Sequence, residues 1–351
     1  MISIIIATYD RPASLKQCLD HVERQSALAL VGEIIIVDDA SPTDDTRAVV
    51  EGHTLHPLVR FQRRTVNGGP GPARNDAIDI ACYPTTLFLD DDILLAPGTL
   101  AKLDESGLPS TRKDPSLIGH VAWDNSTTVT PFMQWMTDGG PLFPYARITD
   151  HDDCHWCHYV TSLAVSSTEL VKMERFTDRL RCRYEDLELG YRLQRRHGNR
   201  LRYVAGATAG DLHGRGLAEW LLALRRIEAD LVLLSAMTGD EMADAFGIIR
   251  AKALTSFATR PLRIASSLIR TLEPQMLLPL RFDRYYGDLW EWQSLSQSYR
   301  IIQNFFRILA IRDALGLAPL TAVDTETDSA SFAEQLIANL NFPATRAEFG
   351  A

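Results

Sequence analysis

The sequence predicts an α/β protein in which a sheet flanked by helices precedes a mainly helical C-terminal region. Three observations predict it. Two β-branched runs, Ile2 to Ala7 and Glu33 to Val37, each end in polar or acidic residues and lead into a segment with helical starting signals. A third apolar run, Leu87-Phe88-Leu89, lacks alternation, reads as a strand buried on both faces, and stops at Asp90-Asp91-Asp92. After Gly216, long helical patterns replace the strand-like runs.

The elements follow in order. Ile2 to Ala7 enters the turn Thr8-Tyr9-Asp10-Arg11-Pro12, which caps a helix beginning near Ala13 with Leu15, Cys18, Leu19 and Val22 on one face. Asp38-Asp39 closes the second strand, and Ser41-Pro42-Thr43-Asp44-Asp45 starts a second helix. Val59 to Arg63 reads as a third strand. Asn67-Gly68-Gly69-Pro70-Gly71-Pro72 reads as a loop, with a helix from Ala73. Three adjacent carboxylates repel one another and are costly to desolvate, so Asp90, Asp91 and Asp92 belong at a strand end that meets a cation or a hydroxyl.

Composition sets limits. The 351 residues are 46% hydrophobic and 23% charged, as a globular chain requires. A formal charge of -9 argues against general nucleic-acid binding, which needs a basic footprint. The opening residues lack a basic targeting segment, and no 18-residue apolar run suggests a spanning helix. Five cysteines, an odd number in a large chain, fit a reducing compartment. No Walker A lysine follows the glycine loop, and no Gly-x-Gly-x-x-Gly follows the first strand, which counts against a dehydrogenase.

Taken together, the motifs resemble the family 2 glycosyltransferases of the GT-A fold across residues 2–215. The matching pieces are Ser3 to Arg11, Ile34 to Ser41, Asn67-Gly68-Gly69 with Ala73-Arg74-Asn75, Phe88 to Asp92 with Pro97, and Glu185 to Leu193. The fold this implies is a GT-A-type nucleotide-binding mixed sheet flanked by helices. Its catalytic domain would occupy residues 1–215, with a donor half to about 100 and an acceptor half over 101–215, and a helical region would cover 216–351.

The resemblance implies roles for particular residues. Tyr9 stacks near the donor's base and Asp39 reads its edge, with Thr8, Arg11, Asn67 and Arg74 around the nucleotide. Asp92 binds a divalent metal, Asp90 lies nearer the ribose or sugar and is a second metal candidate, and Asp91 supports the loop between them on the donor side. His213 is a further metal ligand and Asp186 the catalytic base, with Glu185 second in line. The activity implied is transfer of a sugar from a nucleotide-sugar donor, a UDP-sugar first, to a hydroxyl on a glycan, lipid-linked or small acceptor, with inversion. Two departures stand out: Ala77 replaces the usual glycine after Ala-Arg-Asn, and Tyr159 to Ser166 replaces the usual Gly-Asn-x-Ser.

The chemistry asks for such residues. A departing diphosphate develops charge that a hard cation on oxygen ligands can hold, so Mg²⁺ or Mn²⁺ is expected, and an imidazole from His213 favours Mn²⁺. The acceptor hydroxyl needs a base within hydrogen-bond reach. Glu185, Asp186 and Glu188 also suit a helix first turn for its dipole alone, and we expect those not used in catalysis to pair with Arg181 or Arg183. Arg202 and Arg215 are candidates to reach the diphosphate.

Cys154 to His158 matches the c-type haem spacing, but an exported chain would be needed, and zinc would want a second cysteine pair. Trp156, Tyr159, His155 and His158 are instead expected to wall the acceptor side. Residues 246–284 carry seven basic residues against two acidic ones, a face open to plain packing or oligomer formation, to a diphosphate-linked lipid acceptor, or to peripheral contact from the cytoplasm with the inner face of a membrane. The helical region offers a surface for self-association. A nucleotidyltransferase acting on a sugar phosphate, or a non-catalytic nucleotide-sugar-binding protein, is also compatible with the sequence.

Overall fold

The computed structural model describes residues 1–138, 141–143, 145–181, 183–239, 256–257, 289–317 and 321–322. It falls into two compact units: residues 1–128 with 136–214, and residues 129–135 with the chain from 215 onward.

The first unit is built on one eight-stranded sheet. Strand β1 (Ile2–Thr8) lies between β2 (Val31–Asp38) and β4 (Thr85–Leu89), parallel to both, with Ile4 opposite Ile34 and Ile5 opposite Phe88. Such a central position buries both faces of a strand, which is why β1 reads as an unbroken apolar run. Ile2, Ile4, Ile5 and Ile6 are all essentially excluded from water, each contributing roughly 2 kcal/mol. β3 (Val59–Arg63) forms the outer edge beside β2, where its alternation and two arginines suit a half-exposed strand.

Beyond β4 the direction reverses. β7 (Leu163–Ser167) pairs antiparallel to β4, with Leu163 opposite Leu89, and antiparallel to β6 (Ser116–Trp123). β8 (Leu201–Asp211) runs parallel to β6, and β5 (Ile93–Leu95), just after the acid triplet, pairs with the end of β8, Ile93 opposite Asp211. The ends of β1, β2 and β4 and the start of β7 therefore share one rim, where open α/β sheets present ligand sites.

Helices cover the sheet. α1 (Pro12–Glu23) has proline at its first position and buries Leu15, Cys18, Leu19 and Val22. α2 (Asp45–Gly52) follows β2. α3 (Pro70–Ile80) begins three residues earlier than the sequence suggests, because Pro70 and Pro72 both fall in its first turn, where a missing amide costs nothing. It is preceded by Gly69 at φ 88°, where a side chain would also meet the Arg181 carbonyl at 2.8 Å. α4 (Thr99–Glu105) and α6 (Thr168–Glu174) are short, and α5 (Pro131–Thr137) falls mostly in the second unit. α7 (Glu185–His197) ends on Gly198 in the left-handed conformation.

In the second unit, α8 (Leu217–Thr238) packs along α9 (Leu289–Ala314). Trp220 donates its indole N–H to Gln303 at 3.1 Å, and Arg307 pairs with the buried Glu228 at 2.6 Å. The rings of Phe132 and Trp135 meet Tyr299. Two short strands, Ser256–Phe257 and Thr321–Ala322, pair in parallel. Of the expected helical region, residues 240–255, 258–288, 318–320 and 323–351 lie outside the described residues, as does the basic stretch 246–284 apart from Ser256–Phe257. Among the described residues, no helix is long and apolar enough to cross a membrane.

Candidate active site

The acid triplet sits at the rim, immediately after β4. Its three carboxylates, expected to repel, are each given a partner. Asp90 accepts from the Arg74 guanidinium and from the Ser162 hydroxyl, both at 2.7 Å. Asp91 is buried and accepts from the Thr8 hydroxyl at 2.6 Å, with Arg11 at 3.4 Å. Asp92 pairs with Arg11 at 2.8 Å. Burial and the neighbouring Asp92 charge push the Asp91 carboxyl up to about 7, against the pull of Arg11. Asp91 thus anchors the turn to the end of β1, while Asp90 and Asp92 face the rim with more of their side chains open.

The end of β2 divides its two acids. Asp38 turns inward and accepts the amide and hydroxyl of Ser41. Asp39 accepts the amides of Gly68 and Gly69, at 3.1 and 2.7 Å, and pairs with Arg64. The glycine loop is thereby folded onto Asp39. Asn67 is exposed on that loop, and Tyr9 is half-buried beyond β1.

α7 brings its acids from the other side. Glu185 is buried and binds Arg74 at 2.7 Å, so one guanidinium spans Asp90 and Glu185. Glu188 binds Arg192 one turn along, and Arg192 also holds Glu174. These partners, Arg74 and Arg192, are not the Arg181 and Arg183 expected from proximity in sequence. Asp186 accepts the Leu187 amide of its own helix at 2.8 Å. Removal from water and the Glu185 charge push its carboxyl up to about 7, while Arg74 and Arg183 pull the other way.

His213 is drawn towards the triplet by the sheet. The Leu212 amide donates to the Asp92 carbonyl at 3.0 Å, and the His213 amide donates to the Asp211 carboxylate at 2.7 Å. The half-buried imidazole follows directly in the chain. The hard carboxylate oxygens of this three-residue turn are donors that suit Mn²⁺ or Mg²⁺.

The aromatic wall expected for the acceptor is not open in this structure. Trp156 is 3% and Tyr159 1% exposed, both packed behind α7, where the Tyr159 hydroxyl meets Ser166 at 2.9 Å. The approach is close enough that a side chain at Gly190 would sit 2.6 Å from the Tyr159 Cβ. His155 is exposed and caps the turn Trp156–His158 through the Cys157 amide. His158 is buried, its Nδ1 has no hydrogen-bond partner, and burial lowers its pKa. Arg202 donates to the Ser106 carbonyl at 2.9 Å, away from the triplet in sequence. Sequence reasoning missed the role of Ser162, Arg64 and Glu174. Only the Glu188–Arg192 spacing of four carried a local signal.

A separate group, Asp20, Glu23 and His53, has metal-like proximity. His53 Nδ1 accepts the Leu55 amide, which leaves its proton on Nε2, donated to Asp20 at 3.1 Å. Lys16 holds the other Asp20 oxygen at 2.9 Å and Thr54 holds Glu23, so the cluster is closed by its own hydrogen bonds.

Comparison with known proteins agrees with this geometry. The family described as Glycosyl transferase family 2 matches residues 3–106. The poly(ribitol-phosphate) beta-glucosyltransferase of Bacillus spizizenii is 39% identical over 92 residues, covering 26% of this chain and 14% of that protein. The succinoglycan biosynthesis protein ExoU of Rhizobium meliloti is 38% identical over 98 residues, 26% of this chain and 28% of that protein. The matches thus span well under half the length of these curated relatives. Among solved structures, the mannosyltransferase PcManGT from Pyrobaculum calidifontis, in complex with GDP-Man and Mn2+, overlays 89% of this chain on 86% of its own with a TM-score of 0.53 at 17% identity, a likeness of fold. The ordered motifs and the match over residues 3–106 thus identify a family 2 glycosyltransferase region, set in a sheet with a likeness to the GT-A fold.

Proposed function

We propose that the chain transfers a sugar from a nucleotide-sugar donor to a hydroxyl acceptor, with inversion and with a divalent metal. The observation that carries this reading is the Arg74 bridge, because it fixes a metal-suited acid, Asp90, and the first turn of α7 around one guanidinium. Asp92, Asp90 and His213 would hold the metal, which supplies charge stabilisation for a departing diphosphate.

The chain's own residues supply the rest. Asp186, with a carboxyl near neutrality, is poised to take the proton of the attacking hydroxyl, and Glu185 keeps Arg74 in place behind it. Asp39, Gly68 and Gly69 form a polar edge suited to a nucleobase, with Tyr9 as a stacking surface and Thr8, Asp91 and Asn67 around it. A UDP-sugar is the first donor to test and a GDP-sugar the second. The similar proteins named for poly(ribitol-phosphate) and succinoglycan motivate a glycan or polyol-phosphate polymer as the acceptor class. His155 is the acceptor-side group that stands open, while Trp156, Tyr159 and His158 act from behind α7. Cys18, Cys82, Cys154 and Cys157 are all unpaired, which favours work in the reducing cytoplasm.

The test is product analysis with Mn²⁺ and an acceptor panel. Release of a nucleoside diphosphate with a glycosylated product supports the proposal. Release of pyrophosphate would replace it with nucleotidyl transfer, and tight donor binding with no turnover would leave a binding protein.

A further inference from the structure

We propose that Arg11 is a placeholder cation, standing on the acid turn until a metal arrives and then passing to the diphosphate of the donor. This rests on reading the turn as the metal site, and goes beyond it by making one side chain couple the two ligands.

The three carboxylates are not held alike. Asp90 is clamped by Arg74, whose side chain is 7% exposed, and by Ser162. Asp91 is anchored by Thr8 through a buried 2.6 Å bond, with Arg11 farther off at 3.4 Å. The Arg11 guanidinium reaches Asp92 Oδ2 at 2.8 Å from a side chain that is 40% exposed. Its backbone is set as the residue that precedes α1, while its long side chain carries several rotatable bonds. Of the two arginines on the turn, the one on the expected metal ligand Asp92 is therefore the more exposed.

A divalent cation on that Asp92 oxygen and a guanidinium at 2.8 Å cannot share it comfortably, because like charges at such range repel. Arg11 must then swing off the turn. A diphosphate brought to the same metal offers it a new partner, for a planar guanidinium fits paired phosphate oxygens well. Metal binding releases the arginine that the donor needs, and donor binding removes the arginine that opposes the metal. The two ligands thus assist each other through Arg11 in addition to any direct coordination, and that assistance is reciprocal.

The handover makes two effects of opposite sign. Calorimetry on the full chain would titrate MnCl2 alone, and then UDP or GDP into the Mn²⁺-loaded protein, for the wild type, Arg11→Met, Arg11→Lys and Asp92→Asn. Arg11→Met is expected to take Mn²⁺ alone about fivefold more tightly, as expected for loss of a partly exposed ion pair. The same variant, once loaded, should hold the nucleotide about tenfold more weakly, since a charge-assisted contact is gone. Arg11→Lys should fall between wild type and Arg11→Met in both. A simple repulsive charge would give a different pattern, with Arg11→Met tighter for metal both alone and with nucleotide and no weakening of the nucleotide, and that result would overturn the handover. So would an unchanged Mn²⁺ affinity in Arg11→Met. If the wild type binds Mn²⁺ and Asp92→Asn does not, the site reading stands whichever way Arg11 falls. If neither the wild type nor Arg11→Met binds Mn²⁺ with or without nucleotide, the site reading fails and the proposal with it.

Discussion

Arg74 and Glu185, 111 positions apart in the chain, meet through a 2.7 Å hydrogen bond in the interior, and the same guanidinium holds Asp90 at 2.7 Å. One side chain therefore ties the turn after β4 to the first turn of α7. Opposite charges on three groups keep the arginine protonated despite its burial.

Removing that tie should act on both stability and acidity. Arg74→Met leaves Glu185 buried with an uncompensated charge and is expected to cost about 3–5 kcal/mol, read as a lowered midpoint in denaturant. Because Arg74 pulls the Asp186 carboxyl down, its loss should also move the acid limb of the kcat/KM profile to higher pH. A destabilised variant with an unmoved limb would mean that Asp186 is not the base.

Asp186→Asn should lower transfer by about 10²–10⁴-fold while sparing donor binding. In the wild type, activity should rise with pH through about 7, as the base loses its proton. The same shift fixes the direction of a stability change. Between its ordinary value of 3.8 and about 7 the folded carboxyl keeps a proton that the unfolded one has lost, so stability falls as pH rises across that window. Asp186→Asn removes the effect, and should be about 1–2 kcal/mol more stable than wild type at pH 8 with no difference below pH 4, by thermal melts at the two pH values.

Asp92→Ala deletes a rim carboxylate rather than core, so the melting temperature should stay within a few degrees of the wild type. Transfer should fall by at least about 10²-fold. Mn²⁺ titration and initial rates check both halves. Full turnover that still requires metal would place the ion elsewhere.

Gly190→Ala tests the packing behind the base. The new methyl would lie 2.6 Å from the Tyr159 Cβ and 3.0 Å from the Trp156 carbonyl, neither of which can step aside cheaply. A loss of about 1–3 kcal/mol is expected. Activity should fall further than stability, because α7 must slide to relieve the clash and carries Asp186 with it.

The parts of this arrangement that sequence reasoning reached are those with a local signature. β1, β2 and β4 announce themselves because a strand buried on both faces has no polar positions to interrupt it. The helix-starting prolines at Pro70 and Pro72 were legible as chemistry but misread as loop, since the same residues serve a turn or a first helical turn. The reversal at β7, the pairing of β5 with β8, and the Arg74 bridge are relations between distant segments, and no residue spacing encodes them. Trp156 and Tyr159 show the same limit from another side. An aromatic residue looks alike in sequence whether its ring faces a sugar or the core, and only the close approach of Gly190 settles that these two face inward here.

The antiparallel entry of β7 beside β4 has a consequence for how the protein can be altered. With Leu163 opposite Leu89, the chain reaches the rim at the end of β4 and leaves it at the start of β7, so the acid turn and the segment ending at Ser162 stand side by side without sharing a stretch of sequence. The stretch between Trp123 and Leu163 leaves and rejoins the sheet at fixed points, Trp123 paired with β8 and Leu163 with β4. Changes of length confined to its exposed turn at Asn125 and Ser126 should therefore leave the geometry of Asp90, Asp91 and Asp92 where β4 puts it.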